Sequence, residues 1–590
     1  MCGICGQLTF NGRETSTRCV EEMTGALQRR GPDAKGLFVQ GGAVLGHRRL
    51  KIIDLSERAH QPMVDNALGL SIIFNGAIYN YPELRQDLED KGYTFFSSGD
   101  TEVILKAYHA WGRDCVRRFN GMFAFAVYER DRGRLFLARD RLGIKPLYYR
   151  KSAHELRFAS SLPALIAGGG IDGAIDPVAL HHYMTFHSVV PAPHTILRDV
   201  RKLPPGETMT VDARGTVDKD PYWKLDFGPR PEERRFGLFE WRDLVRDALR
   251  RAVRRRLTAD VPVGVLLSGG VDSSLVVGLL AELGQKNLKT FSIGFDAVNG
   301  EEGNEFAYSD IVAEAFATEH HRIECDASDV LGSIETCIAA MSEPMVSHDC
   351  IGFYLLSQAV ARHVKVVQSG QGADEIFGGY HWYPPLMDSA DPLNDYAGHF
   401  FDRSHTEYAA AVDPRFLERD YSFEFVKRHF ASCGAESPID KALRIDTRIM
   451  LVDDPVKRVD NMTMAWGLEA RVPFLDHELV ELAARIPAEF KVAEGGKHVL
   501  KEAARGVIPD EVIDRPKGYF PVPALKYLQG DYLAFVKEVL ESPRSVSRAL
   551  LNPDYVAHVL AEPEKHITPL QGSKVWQLAV LTYWLAAQGL

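Results

Sequence analysis

The sequence predicts a chain of two unlike parts, an α+β layered domain followed by a doubly wound α/β domain. Three observations carry that expectation. The 590 residues are more than one hydrophobic core spans, at ~100–200 residues per domain. Short β-like runs separated by Gly and Asn turns dominate up to about residue 165. Beyond residue 235 the pattern changes to wholly apolar runs, the first two of which lead into helical stretches, as in a parallel sheet covered on both faces.

In the first part the strand signals are Ala43 to Leu45, Leu70 to Phe74, Met122 to Tyr128, Arg134 to Ala138 and Leu147 to Tyr149, and helical patterns intervene at Cys19 to Arg29 and Glu102 to Trp111. Antiparallel strands mixed with helices indicate a layered α+β arrangement. Proline punctuation at Pro191 to Pro193 and Pro204 to Gly206 follows, and the polar stretch Asp212 to Arg235 reads as a linker. In the second part Val261 to Leu267, Thr290 to Phe295 and Val364 to Gln368 are buried-strand candidates, and the chain from about Tyr380 is mostly helical in pattern. The arginine-dense stretch Arg242 to Arg256 carries an apolar stripe of Leu244, Ala248, Ala252 and Val253, so its arginines read as the solvated face of a helix.

Composition excludes several classes. At 45% hydrophobic and 25% charged the chain is neither disordered nor fibrous. A net charge of −11 supplies no field for nucleic acid or anionic membrane. Eight scattered cysteines form neither a disulfide framework nor a zinc spacing, which suits a reducing cytoplasm. No run approaches the ~20 apolar residues of a membrane span, and the first residues lack the basic and apolar regions of an export signal.

Cys2 is the most informative residue. Removal of Met1 would place a thiol and a free α-amine on one residue, and an amine with a pKa near 8 can take the thiol proton directly or through water. Alone, Cys2 is more simply a small second residue. It stands, however, ahead of Arg30-Gly31-Pro32-Asp33, Gly46-His47-Arg48-Arg49-Leu50, Phe74-Asn75-Gly76, Gly99-Asp100-Thr101-Glu102 and Arg139-Asp140-Arg141-Leu142-Gly143. In this order these fragments resemble the glutamine amidotransferase domain with an N-terminal nucleophile, an αββα sandwich, over roughly the first 210 residues. The resemblance implies that Cys2 attacks the side-chain amide of L-glutamine, that Asn75 and the Gly76 amide donate to the developing oxyanion, and that Arg49 pairs with the glutamine carboxylate. It also implies that Asp100 meets the glutamine ammonium and that Leu50, Lys51, Ile52 and Ile53 line the pocket. One position departs: Ala77 stands where the family usually has Glu, which removes a polar contact to glutamine.

Val261 to Leu267 ends in Ser268-Gly269-Gly270-Val271-Asp272-Ser273-Ser274, followed by the helical Leu275 to Leu283. A strand, a glycine turn and a helix N-terminus aim unpaired N–H groups at a phosphate. No Gly-Lys-Ser/Thr follows, so this is not a Walker loop. It resembles the PP-loop of enzymes that split ATP into AMP and pyrophosphate. The resemblance implies that Leu266, Ser268, Gly269, Gly270, Ser273, Ile293, Ser369 and Gly370 hold ATP, that Asp272 and Asp374 bind magnesium, and that Lys517 neutralises charge during adenylation.

Gly467-Leu468-Glu469-Ala470-Arg471-Val472-Pro473-Phe474-Leu475-Asp476 completes the pattern, and nearly the whole chain resembles the glutamine-hydrolysing asparagine synthetase family. That implies an amidotransferase domain over 1–215, a linker over 216–235 and a synthetase domain over 236–590. ATP activates a carboxylate as an acyl-adenylate, and ammonia from Cys2 reaches it through a shielded passage that keeps it unprotonated. Several positions lead away from aspartate as the acceptor. Gln371 stands where asparagine synthetases have Glu or Asp, and Asn461 where many relatives have Arg. With Ala77, Ser342 to Asp349 and Gly378 to Tyr383, these resemble the N-acetylglutaminylglutamine amidotransferase branch, which amidates a dipeptide carboxylate to make an osmoprotectant. Glu343, His348, Gln371 and Trp382 are then candidates for the acceptor pocket, although an aromatic or a histidine in such a place is more often simply core.

The alternatives are an asparagine synthetase proper, a cyclising synthetase of the β-lactam type, which needs no ammonia and commonly lacks the cysteine, and a regulator or a PP-loop protein acting on tRNA. Cys2 argues against the second, and the acidic charge and paired sites against the third. A homodimer is compatible with the sequence.

Overall fold

The computed structural model describes every residue except 1, 14, 299, 301–302, 517, 519–521 and 543–544, and the side chain of residue 523. Twelve strands build the first part: β1 (Gly3–Thr9), β2 (Ala34–Gln40), β3 (Ala43–Arg49), β4 (Met63–Asp65), β5 (Leu70–Ile78), β6 (Gly121–Glu129), β7 (Arg134–Arg139), β8 (Tyr148–Lys151), β9 (Glu155–Ala159), β10 (Arg201–Lys202), β11 (Glu207–Val211) and β12 (Val217–Pro221). They form two antiparallel six-stranded sheets, ordered β10-β8-β9-β1-β3-β2 and β12-β11-β7-β6-β5-β4.

Alternation along the strands explains the layering. On β6, Phe123, Phe125 and Val127 join Ile72 and Phe74 of β5 beneath the helices Tyr81–Glu89 and Asp100–Trp111, whereas Ala124, Ala126 and Tyr128 face the other sheet. Successive side chains point to opposite faces. Small alanines between the sheets and large rings under the helices therefore separate two apolar layers. The helix Arg18–Ala26 covers the first sheet through Val20 and Met23. The result is the expected αββα sandwich.

The second part is built on a parallel sheet ordered β15-β14-β13-β16-β17, of β13 (Val263–Leu266), β14 (Lys289–Phe295), β15 (Glu319–Cys325), β16 (Val366–Gln368) and β17 (Glu469–Arg471). Helices Val271–Glu282 and Asp349–Val360 are among those that cover it.

Three local expectations need correction. Within the polar stretch read as a linker, Val217–Pro221 pairs with β11; it is an edge strand facing water, so its charged residues hide its periodicity. In the helix Leu238–Arg255 the buried stripe is Trp241, Val245, Ala248, Leu249, Ala252 and Val253, while Leu244 is 39% exposed. Nor are all the nearby arginines solvated. Arg256 is buried against Asp476 at 3.0 Å.

Candidate active sites

The start of β1 brings Cys2 into a cavity of about 30 Å³ that is also lined by Arg49, Leu50, Ile52, Ile53, Gly76 and Asp100. Burial pushes the Cys2 thiol up, so it is protonated at rest and needs a base. The Cys2 backbone nitrogen donates to Asn75 Oδ1 at 3.1 Å. That bond fixes the amide orientation and leaves Asn75 Nδ2, which is buried and without a partner among the described residues. An orphaned donor costs free energy unless a ligand satisfies it, and this one belongs to the residue that accepts from the Cys2 backbone nitrogen.

Arg49 ends β3. Its guanidinium donates to the Ser56 carbonyl at 2.9 Å and to the Asp54 carbonyl, with no carboxylate paired to it among the described residues. Its charge is thus left for a ligand. Asp100 opens the helix Asp100–Trp111 and accepts from the Ile78 amide at 3.1 Å; burial pushes its carboxyl up to about 6 against that bond. Three expected residues lie outside the lining: Asn75, tied to Cys2 by the bond above, Lys51 and Ala77. Lys51 extends to Glu57 at 2.5 Å, and Ala77 packs with Leu142 and Ile144 in the apolar cluster shared with the second part.

The second cavity is about 260 Å³. Leu266, Ser268, Gly270, Asp272, Ser273, Ile293, Ser369, Gly370, Gln371 and Asp374 all line it. The loop after β13 is closed by a bond from the Ser268 amide to Ser273 Oγ at 3.2 Å. Gly269 does not line the cavity. At φ +76° it turns the loop against the Tyr308–Ser309 backbone, where a Cβ would lie 2.7 Å from the Ser309 nitrogen, and only glycine accepts both conditions. After β16, Gly370 lets the two loops touch, since a Cβ there would lie 2.8 Å from the Ser273 nitrogen.

Asp272 and Asp374 converge on Lys497 Nζ, at 2.6 and 2.9 Å. The pair raises the Lys497 pKa although its burial opposes this. Carboxylates are the donors a hard cation takes, together with phosphate oxygens, so the site suits magnesium beside bound polyphosphate. Lys517 lies outside the described residues.

Of the acceptor candidates, Gln371 lines the nucleotide cavity, whereas Glu343, His348 and Trp382 do not. Glu343 accepts from Tyr148 at 3.2 Å and Lys202 at 3.1 Å in a buried network. Trp382 stacks on Tyr380 at 4.2 Å, and it is Tyr380 that reaches the cavity. Tyr380 donates to Glu375 Oε1 at 2.6 Å. Burial, with the neighbouring Asp374 charge, raises Glu375 to about 7.

The sequence reading missed Lys497, Glu375, Glu469 and Arg471. A Gly495-Gly496 turn ahead of Lys497 was the available signal for the first. Glu469 and Arg471 of β17 line the thiol cavity from the second part of the chain. They are fully buried and paired at 2.6 Å. Burial would push Glu469 up, yet Arg471 and Lys145 help hold it down at about 2. The Ser369 amide, beside the nucleotide cavity, donates to the Arg471 carbonyl at 2.9 Å. One short strand pair therefore borders both cavities.

Comparison with known families fits this pairing. The glutamine amidotransferase domain model matches residues 1–223 and the asparagine synthase model residues 244–586. A chain that joins the two is a glutamine-dependent carbon–nitrogen ligase. Asparagine synthetase 1 of Bacillus subtilis is 32% identical, over 99% of this chain and 96% of its own, and asparagine synthetase 3 of the same organism is 30% identical, over 94% and 91%. The amidase chry2 of Gibberella zeae is 27% identical over 88% of each chain. The chain belongs to the glutamine-hydrolysing asparagine synthetase family, whose members use ATP.

Proposed function

We propose that this enzyme amidates the terminal carboxylate of N-acetylglutaminylglutamine. In the first site the α-amine of the processed Cys2 takes the thiol proton, and the thiolate adds to the glutamine amide carbon. Asn75 Nδ2 and the Gly76 amide hold the oxyanion. Collapse releases ammonia and leaves a thioester, which water hydrolyses to glutamate. In the second site the acceptor carboxylate attacks the α-phosphorus of ATP, giving an acyl-adenylate and pyrophosphate; Asp272 and Asp374 would hold magnesium, which would supply positive charge to the polyphosphate. Ammonia then displaces AMP, and the amide forms with loss of a proton.

The observation that carries the acceptor assignment is Gln371 in the lining of a cavity that Tyr380 and Phe353 also line. An amide and aromatic lining suits an acylated, amide-rich dipeptide better than a small amino acid with an ammonium and two carboxylates. Aspartate is the second reading, favoured by the two Bacillus relatives named asparagine synthetase. Incubation with ATP, magnesium, glutamine and either acceptor, scored for AMP, pyrophosphate and amide, separates them. Amidation of aspartate alone overturns the dipeptide reading. Cys2→Ala should abolish glutamine use and spare synthesis from ammonium; loss of both refutes separable sites.

A further inference from the structure

The helix Pro177–Thr185 carries a side-chain cluster that neither cavity uses. His181 Nε2 lies 3.1 Å from His405 Nδ1 and 3.8 Å from Asp420 Oδ1, and the three ligand atoms all lie within 4.8 Å of one another. They come from three separate elements, because His405 opens the helix His405–Ala411 and Asp420 precedes the helix Tyr421–Ala431.

Hydrogen bonding around His181 fixes where its lone pair points. Thr185 Oγ1 donates to the His181 carbonyl at 2.7 Å, so its proton is spent. Ser422 Oγ lies 2.7 Å from Thr185 Oγ1, 3.1 Å from His181 Nδ1 and 2.9 Å from His182 Nδ1. All these contacts are satisfied together if Ser422 donates to Thr185 and both imidazoles donate from Nδ1 to Ser422. The His181 proton then sits on Nδ1, and Nε2 offers its lone pair to the space shared with His405 and Asp420. A metal-bound histidine usually has this arrangement, with its second nitrogen donating to an oxygen behind it.

We propose that His181, His405 and Asp420 bind a divalent cation of the zinc type, with a fourth position open to solvent. Zinc bonds of ~2.0–2.1 Å in a tetrahedron place ligand atoms about 3.3 Å apart, against 3.1 and 3.8 Å for these two pairs. Two imidazoles and one carboxylate form a donor set suited to zinc rather than magnesium. His181 is buried, while His405 and Asp420 are half-exposed, which gives an entry path. Bound metal would clasp the helix Pro177–Thr185, between β9 and β10, to two helices of the C-terminal part.

The test uses the full chain, stripped with chelator and kept in excess magnesium. Titration with zinc should give one tight equivalent by calorimetry and elemental analysis, and a higher melting temperature. His405→Ala and Asp420→Asn, both at half-exposed positions, should each weaken zinc binding at least tenfold and abolish the thermal shift. Cobalt added to the unaltered chain should give the intense visible bands of four-coordination without a thiolate charge-transfer band. The proposal is overturned by no stoichiometric uptake, as a plain imidazole–imidazole hydrogen bond would give. Uptake unchanged in both variants, or a cobalt spectrum that is octahedral or thiolate-bound, also overturns it.

Discussion

Replacing Lys497 with methionine keeps the length of the side chain and removes the cation between Asp272 and Asp374. Nζ lies 2.6 Å from one carboxylate and 2.9 Å from the other, so those oxygens are no more than about 5.5 Å apart. Two unit charges at that distance repel by about 3 kcal/mol at an effective dielectric constant of 20. Removing one partner of a buried ion pair costs about the same, ~3–5 kcal/mol. With ~1.4 kcal/mol per factor of ten, a loss of that size in the nucleotide site lowers pyrophosphate formation roughly 100-fold. The assay is acceptor-dependent pyrophosphate release, with thermal melting run with and without magnesium. Lys497→Met should melt lower without magnesium and regain more stability than the parent when magnesium is added, since the metal then relieves the repulsion. A variant within threefold of the parent rate, with an unchanged melting temperature, refutes the assignment of Lys497 as the group that holds the two carboxylates together.

Three further outcomes are expected. Asn75→Ala removes the orphaned donor and should lower glutaminase turnover by ~10²–10³ while sparing ammonium-dependent synthesis; equal loss of both would place Asn75 in a structural role. The Asp100 carboxyl titrates at about 6, and only its ionised form holds an ammonium. KM for glutamine should therefore rise as pH falls, about tenfold from pH 7 to pH 5, and Asp100→Asn should remove that dependence; a flat KM in the parent contradicts it. Gly370→Ala forces the two loops apart against the Ser273 nitrogen and should raise KM for ATP severalfold without changing glutaminase turnover, so a normal KM for ATP would show that the contact yields freely.

What the sequence disclosed follows from distance along the chain. The loop Ser268 to Ser274 is legible because a buried strand, glycines and a helix start fall within one short window, and local geometry alone aims its amides. Cys2, Asn75 and Asp100 are legible only as ordered fragments, since β1, β5 and the helix at Asp100 must fold before Asn75 bonds to Cys2 and Asp100 joins it in one cavity lining. Lys497 and Glu469 were not, because their meaning comes from partners more than 120 residues away, and a lone charged residue in a helical or extended window looks like surface. β17 itself is three residues, Glu-Ala-Arg, too short to show a period and too charged to resemble a buried strand. Leu244 shows the converse error: the helix was right, but its buried face was rotated from the one inferred, since Trp241 and Val245 take the core positions.

Because Ser369 and Arg471 are joined backbone to backbone, nucleotide binding need not act on the amidotransferase half through a distant hinge. The wall of the thiol chamber and the edge of the nucleotide chamber are thus one hydrogen bond apart, across a strand three residues long.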